Sequence, residues 1–177
     1  MVSRELVSVA GPSLVPGLTG TRLTSPRLKD SAGQYERPES SAMASIPQKI
    51  TTFLMFEGRA EEALTFYMSL FEDAEIVDIS RYGADGPGEA GTVQRATFSL
   101  AGQRFMCVDS YVKHGFGFTP AVSLFVECGT EAELDRLYGA LAEQGTELMP
   151  LGSYGFSAKF GWVNDRFGVS WQLNLPE

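Results

Sequence analysis

The closing segment Gly161-Trp162-Val163-Asn164-Asp165-Arg166-Phe167-Gly168-Val169-Ser170-Trp171-Gln172 gathers side chains suited to holding a small molecule. A short strand carrying Trp162 enters an Asp-containing turn, and Gly168 permits a bend that a Cβ would resist. The strand that follows alternates Val169, Trp171 and Leu173 with Ser170, Gln172 and Asn174. Indole rings offer stacking faces. A buried amide such as that of Gln172 needs a hydrogen-bond partner, which a ligand or water in a cavity supplies. The chemistry indicated is recognition in a concave pocket. Nucleophilic chemistry at Cys107 has little support, because no base can be placed beside it from the sequence. The one histidine, His114, falls in the Ser110–Gly117 loop and reads as a surface or packing residue. Glu57 and Asp109 close predicted strands and read as solvated.

Bulk properties bound the setting of that pocket. A net charge of -8 leaves no basic stripe to neutralise phosphates, which argues against nucleic acid as a partner. Acidic pairs such as Glu61-Glu62 and Glu131/Glu133 sit near predicted helix starts, where they favour the helix dipole. Cys107 and Cys128 lie within or at the ends of predicted strands without CxxC spacing, so buried reduced thiols in a cytoplasmic protein are expected. No apolar run approaches bilayer length, so no membrane partner is expected. The segment Leu6 to Leu18, broken by Gly11, Pro12, Pro16 and Gly17, makes a poor secretory signal.

Residues 1–45 read as a disordered extension. The stretch 1–42 is rich in Ser, Gly and Pro, without the periodicity needed to bury apolar area. Met43-Ala44-Ser45-Ile46-Pro47 leads into the first strong strand, so an upstream-start artefact is the expectation there, with an organellar transit peptide the weaker alternative because Glu5, Asp30, Glu36 and Glu39 are unwelcome in one. The folded unit is expected over 46–177, in modules of about 46–110 and 118–177. In the first, a strand at 49–56 breaks at Glu57-Gly58, and Ala60–Glu72 follows with the helical stripe Ala63, Phe66, Tyr67, Leu70 and Phe71. Strands at 75–82, 92–100 and 103–109 complete it, the last two joined by the hairpin signal Ala101-Gly102. In the second, a strand at 121–127 breaks at Cys128-Gly129, and a helix spans 131–144. Thr130 and Glu133 form a capping box for it and Gly145 ends it. Strands at 158–163 and 169–175 close the chain. One fixed shift pairs Phe66-Tyr67 with Leu137-Tyr138, Gly58 with Gly129, and Glu62 with Glu133. The fold class predicted is α+β: two paired βαβββ modules whose sheets curl around a shared cavity, because neither module covers its sheet with a single helix.

These modules, the opening Ile50-Thr51-Thr52-Phe53-Leu54-Met55-Phe56-Glu57-Gly58, the central Phe118-Thr119-Pro120-Ala121-Val122-Ser123 and the closing segment resemble the PhnB-like branch of the vicinal-oxygen-chelate superfamily. That superfamily includes glyoxalase I, extradiol dioxygenases and fosfomycin- and bleomycin-resistance proteins. The resemblance covers about 46–175. Proteins like this sometimes carry a 3-demethylubiquinone 3-methyltransferase label, but the chain has no glycine-rich loop between a strand and a helix to hold a nucleotide-type methyl donor.

The resemblance implies a divalent metal held by His and Glu side chains on facing strands, acting as a Lewis acid. It maps the first-strand ligand position to Thr52 and the last-strand position to Gln172. The second module offers Ala121, Val122 or Ser123, and the last strand of the first offers Met106 or Cys107. An amide, a hydroxyl and a thiol make a poor divalent site, so no metal or other cofactor is expected. The expected cavity is lined by Thr52, Phe53, Phe105, Cys107, Ser123, Trp162, Trp171 and Gln172. The function expected is metal-independent binding of a small molecule by a homodimer. The alternatives are a metal-dependent lyase, isomerase or dioxygenase with atypical ligands, and a structural or regulatory dimer with a vestigial cavity.

Overall fold

The computed structural model describes residues 48–177, so the expected extension over 1–45 lies outside the described residues. The first module contains β1 (Thr52–Phe56), α1 (Ala60–Leu70), β2 (Glu75–Arg81), β3 (Val93–Leu100) and β4 (Gln103–Asp109). The second contains β5 (Leu124–Glu127), α2 (Glu131–Ala142), β6 (Thr146–Gly152), β7 (Lys159–Asn164) and β8 (Ser170–Leu175). Each forms a four-stranded sheet, in the orders β1-β4-β3-β2 and β5-β8-β7-β6. β1 runs parallel to β4 and β5 to β8, while the remaining pairs are antiparallel. The predicted pair of βαβββ modules is borne out. The two sheets stay separate, and β1 and β5 are edge strands.

The hairpin signal holds: Ala101 and Gly102 both take positive φ, 48° and 73°, as a type I′ turn requires. The two helix starts are satisfied differently. Thr130 Oγ1 accepts the Glu133 N–H at 3.1 Å, and the Glu133 carboxylate reaches back to the Gly129 N–H at 2.8 Å. α1 has no side-chain cap of its own. Instead Asp109, at the end of β4, accepts from the Gly58 and Ala60 N–H groups, both at 2.8 Å, and from Val93 N–H at 3.2 Å. Asp109 is therefore buried rather than solvated, because orphan donors at a helix start attract a carboxylate from a neighbouring strand. The left-handed residue after α2 is Gln144, at φ 60°, not Gly145. Gly145 is required by space: a Cβ there would run into the backbone oxygens of Asn164 and Leu141.

One apolar cluster draws on both modules, from Leu54, Tyr67, Phe98 and Cys107 in the first to Leu137, Val163, Trp171 and Leu173 in the second. Asp165 ties the modules together within it. Its Oδ1 accepts the Phe167 and Val169 N–H groups at 2.8 and 3.0 Å, shaping the turn that Gly168 (φ 89°) completes. Its Oδ2 accepts the Tyr67 hydroxyl from α1 at 2.7 Å and Trp171 Nε1–H from β8 at 2.9 Å. Burial, then the charge of Asp165, pushes the Tyr67 phenol well above its ordinary value, so it remains a donor.

Candidate functional site

Strand alternation sorts the side chains onto the two faces of each sheet. Cross-strand registers place Leu54, Phe105 and Cys107 of the first sheet on its helix-covered face, and Phe53, Met55, Met106 and Val108 on the other. In the second sheet Val163, Trp171 and Leu173 face the helices, while Trp162, Gln172 and Asn174 face away. Three expected cavity residues are therefore core. Trp171 is 2 % exposed, packed against Tyr67 and Phe71. Phe105 stacks on Phe98 with centroids 5.4 Å apart. Cys107 is fully buried, and burial pushes its thiol up to about 12, which removes it as a nucleophile.

Open space lies along β1. A cavity of about 540 Å³ is bounded by Phe53, Met55, Phe56 and Glu57 of β1 and its end, by Arg59 and Phe167, and by His114, Phe116, Gly117 and Phe118 of the connection between the modules. A second cavity of about 280 Å³ shares Phe53, Gly117 and Phe118 with it. This second space continues between the edge strands, past Thr52 and Leu54 on one side and Val122, Ser123, Leu124, Val169 and Ser170 on the other. Of the expected residues, Thr52, Phe53 and Ser123 meet here. Trp162 and Gln172 lie on the open face of the second sheet and line neither cavity. Trp162 Nε1–H donates to Ser170 Oγ at 2.8 Å, and Ser170 Oγ lies 2.8 Å from Ser123 Oγ, which ties that face to the crevice.

The walls are mostly aromatic. Phe56 contacts Phe118 and Phe167 with centroids 5.3 and 6.1 Å apart. Phe53 and Phe116 are 53 % and 68 % exposed, far more than large apolar side chains in a packed core. The polar groups sit at one end. The Arg59 guanidinium lies 4.5 Å from the Phe167 centroid, pairs with Glu62 at 2.9 Å and donates to the Arg166 carbonyl at 3.1 Å. Glu57 accepts the His114 backbone N–H at 2.8 Å and pairs with Lys113 at 3.1 Å. Those two contacts, the backbone one first, hold its carboxyl below the usual range. His114, expected to be a bystander, is therefore part of the wall. Glu57, Arg59, Phe116 and Phe118 were likewise absent from the expected lining. The Phe116-Gly117-Phe118 aromatic spacing was the one sequence signal that could have raised the loop.

The donor set suits a divalent metal poorly: beside aromatic, aliphatic and hydroxylic side chains the two cavities offer Glu57 and His114, and among the described residues no three His, Cys, Asp or Glu side chains cluster. At the helix starts, the Ala60 N–H of α1 bonds to Asp109 and the Glu133 N–H of α2 to Thr130.

The family described as 3-demethylubiquinone-9 3-methyltransferase matches residues 48–174. A structure described as a putative 3-demethylubiquinone-9 3-methyltransferase, PhnB protein, from Bacillus cereus is 66 % identical, with a TM-score of 0.71 over 72 % of this chain and 99 % of that one. Protein PA1353 from Pseudomonas aeruginosa is 30 % identical, with a TM-score of 0.61 over 72 % of this chain and 96 % of its own. The fosfomycin resistance protein FosX from Listeria monocytogenes, in complex with Mn(II), shares the fold at 12 % identity and a TM-score of 0.50, over 73 % of this chain and 92 % of that one. No curated protein sequence matches. No helix of the described residues is long and apolar enough to cross a membrane.

Proposed function

Since the chain belongs to the PhnB-like family of the vicinal-oxygen-chelate superfamily, the family described as 3-demethylubiquinone-9 3-methyltransferase, we propose that it binds a small molecule without a metal, in the aromatic cavity along β1. The observation that carries this reading is the wall of Phe53, Phe56, Phe116, Phe118 and Phe167 around about 540 Å³ of open space. Stacking on such rings retains a planar apolar molecule. The descriptions of relatives speak of methyl transfer, but two mixed sheets, with no glycine-rich loop between a strand and a helix, favour binding over a methyl-donor site. Thermal-shift screening with planar aromatic probes tests the reading. A ligand at a hundredfold excess over Kd adds about 2.7 kcal/mol, and that gain should fall in a Phe53→Ala variant. A panel that leaves the melting temperature unmoved would sink it.

The protein is also proposed to be a homodimer. Phe125 and Phe156 of the second module are 55 % and 63 % exposed, and a second copy would cover such side chains. Sedimentation at micromolar concentration distinguishes the two states. Two buried free thiols fit a reducing, cytoplasmic setting.

A further inference from the structure

We propose that His114 selects the ligand of the β1 cavity, its Nδ1 accepting a hydrogen bond from an O–H or N–H group on a neutral planar aromatic molecule; the proposal rests on the small-molecule reading above. The assignment comes from proton counting around Ser110. Its Oγ lies 2.9 Å from His114 Nε2, 2.9 Å from the Val112 carbonyl oxygen and 3.2 Å from the Val112 amide nitrogen. A hydroxyl has one proton to give. The Val112 carbonyl is an acceptor only, so the Ser110 proton goes there, while the Val112 N–H donates to Oγ. The remaining contact, to Nε2, is attractive only if Nε2 carries the hydrogen and donates. If the hydroxyl donated to Nε2 instead, two oxygens would face each other at 2.9 Å with no proton between them. The neutral imidazole is thus the Nε2–H tautomer, and its lone pair sits on Nδ1. Among the described residues, no side chain or backbone group bonds Nδ1.

The ring is held for this task. Its backbone N–H is anchored on Glu57 at 2.8 Å, and its face packs on Phe116 with centroids 4.9 Å apart. The charged groups nearby are already compensated. Glu57 pairs with Lys113 at 3.1 Å, and Arg59 with Glu62 at 2.9 Å. The cavity therefore presents paired rather than free charges, and the Nδ1 lone pair would add a neutral acceptor beside the phenylalanines. A ligand of matching shape that lacks a donor would leave Nδ1 unpaired, which is the usual physical source of strong discrimination.

Calorimetric titration of the full chain with 1-naphthol and with 1-methylnaphthalene tests this. The wild type should bind 1-naphthol about tenfold more tightly. His114→Phe should abolish that preference while keeping 1-methylnaphthalene affinity. His114→Asn, which puts an amide oxygen near the Nδ1 position, should restore part of it and serves if the Phe variant misfolds. Ser110→Ala, which frees the tautomer, should weaken it. Equal binding of the two probes by the wild type, or a preference that survives in His114→Phe, overturns the assignment of His114 alone. Failure of both probes to bind overturns the cavity reading and this proposal with it.

Discussion

Replacing Asp165 probes the junction that holds the two modules around the cavity. The carboxylate accepts four hydrogen bonds while only 3 % exposed. In Asp165→Ala, the Phe167 N–H is part-buried, so its loss is partly offset, whereas the Val169 N–H is buried. The Tyr67 hydroxyl and Trp171 Nε1–H are in the core and have nowhere to turn. Each buried donor left unpaired costs about 1–3 kcal/mol, and removal of the buried charge recovers some desolvation. A net loss of about 4 kcal/mol follows. Asp165→Asn keeps one oxygen for the backbone donors but sets an amide N–H against the indole N–H, for about 2 kcal/mol. Urea unfolding followed by tryptophan fluorescence measures both, provided the slope with denaturant stays constant. A further substitution, Tyr67→Phe, should cost less in the Asp165→Ala background than in the wild type, because the orphaned hydroxyl is removed with it. A loss below about 1 kcal/mol for Asp165→Ala, or equal effects of Tyr67→Phe in both backgrounds, would refute the reasoning.

Burial pushes Cys107 up to about 12 and Cys128 up to about 11, from an ordinary 9.0. Native protein at pH 8 should therefore react with an aromatic disulfide reagent only as fast as it unfolds, with both thiols appearing at once in denaturant. Both folded-state values are raised, so the linked stability is complete below the unfolded value and declines as pH rises from about 9 toward 11–12, which alkaline urea titrations can follow. Gly145→Ala should destabilise by about 1–3 kcal/mol, because the backbone oxygens that meet the new Cβ cannot move aside; a variant melting within a degree of the wild type contradicts this. Glu57→Gln removes the charge that accepts the His114 N–H and pairs with Lys113, so hydrogen exchange at the His114 amide should quicken several-fold, and unchanged protection would mean that the loop is held by other contacts.

Local rules made the architecture legible. The helical stripe from Ala63 to Phe71, the capping box at Thr130, the turn at Ala101-Gly102 and the bend at Gly168 are each written within a few residues. The shift that pairs Gly58 with Gly129 then implied two copies of one module. All of these depend on short-range geometry, which a sequence displays directly. The site was legible only in part. Phe53, Thr52 and Ser123 do line the open space, but Phe105, Cys107 and Trp171 are buried in the core. Alternation separates neighbours on a strand, as Trp171 and Gln172 show, but it does not say which set faces the helices.

What the sequence by itself determined is therefore the βαβββ repeat, its turns and its family. Tertiary structure decided which strand faces are open, that Asp109 serves a helix start far from it in sequence, and that His114 belongs to a cavity wall. The physical reason is common to all three. Each depends on the pairing of distant segments, where a single side chain's environment is set by whatever element packs against it. The periodicity of its own strand or loop carries no record of that neighbour.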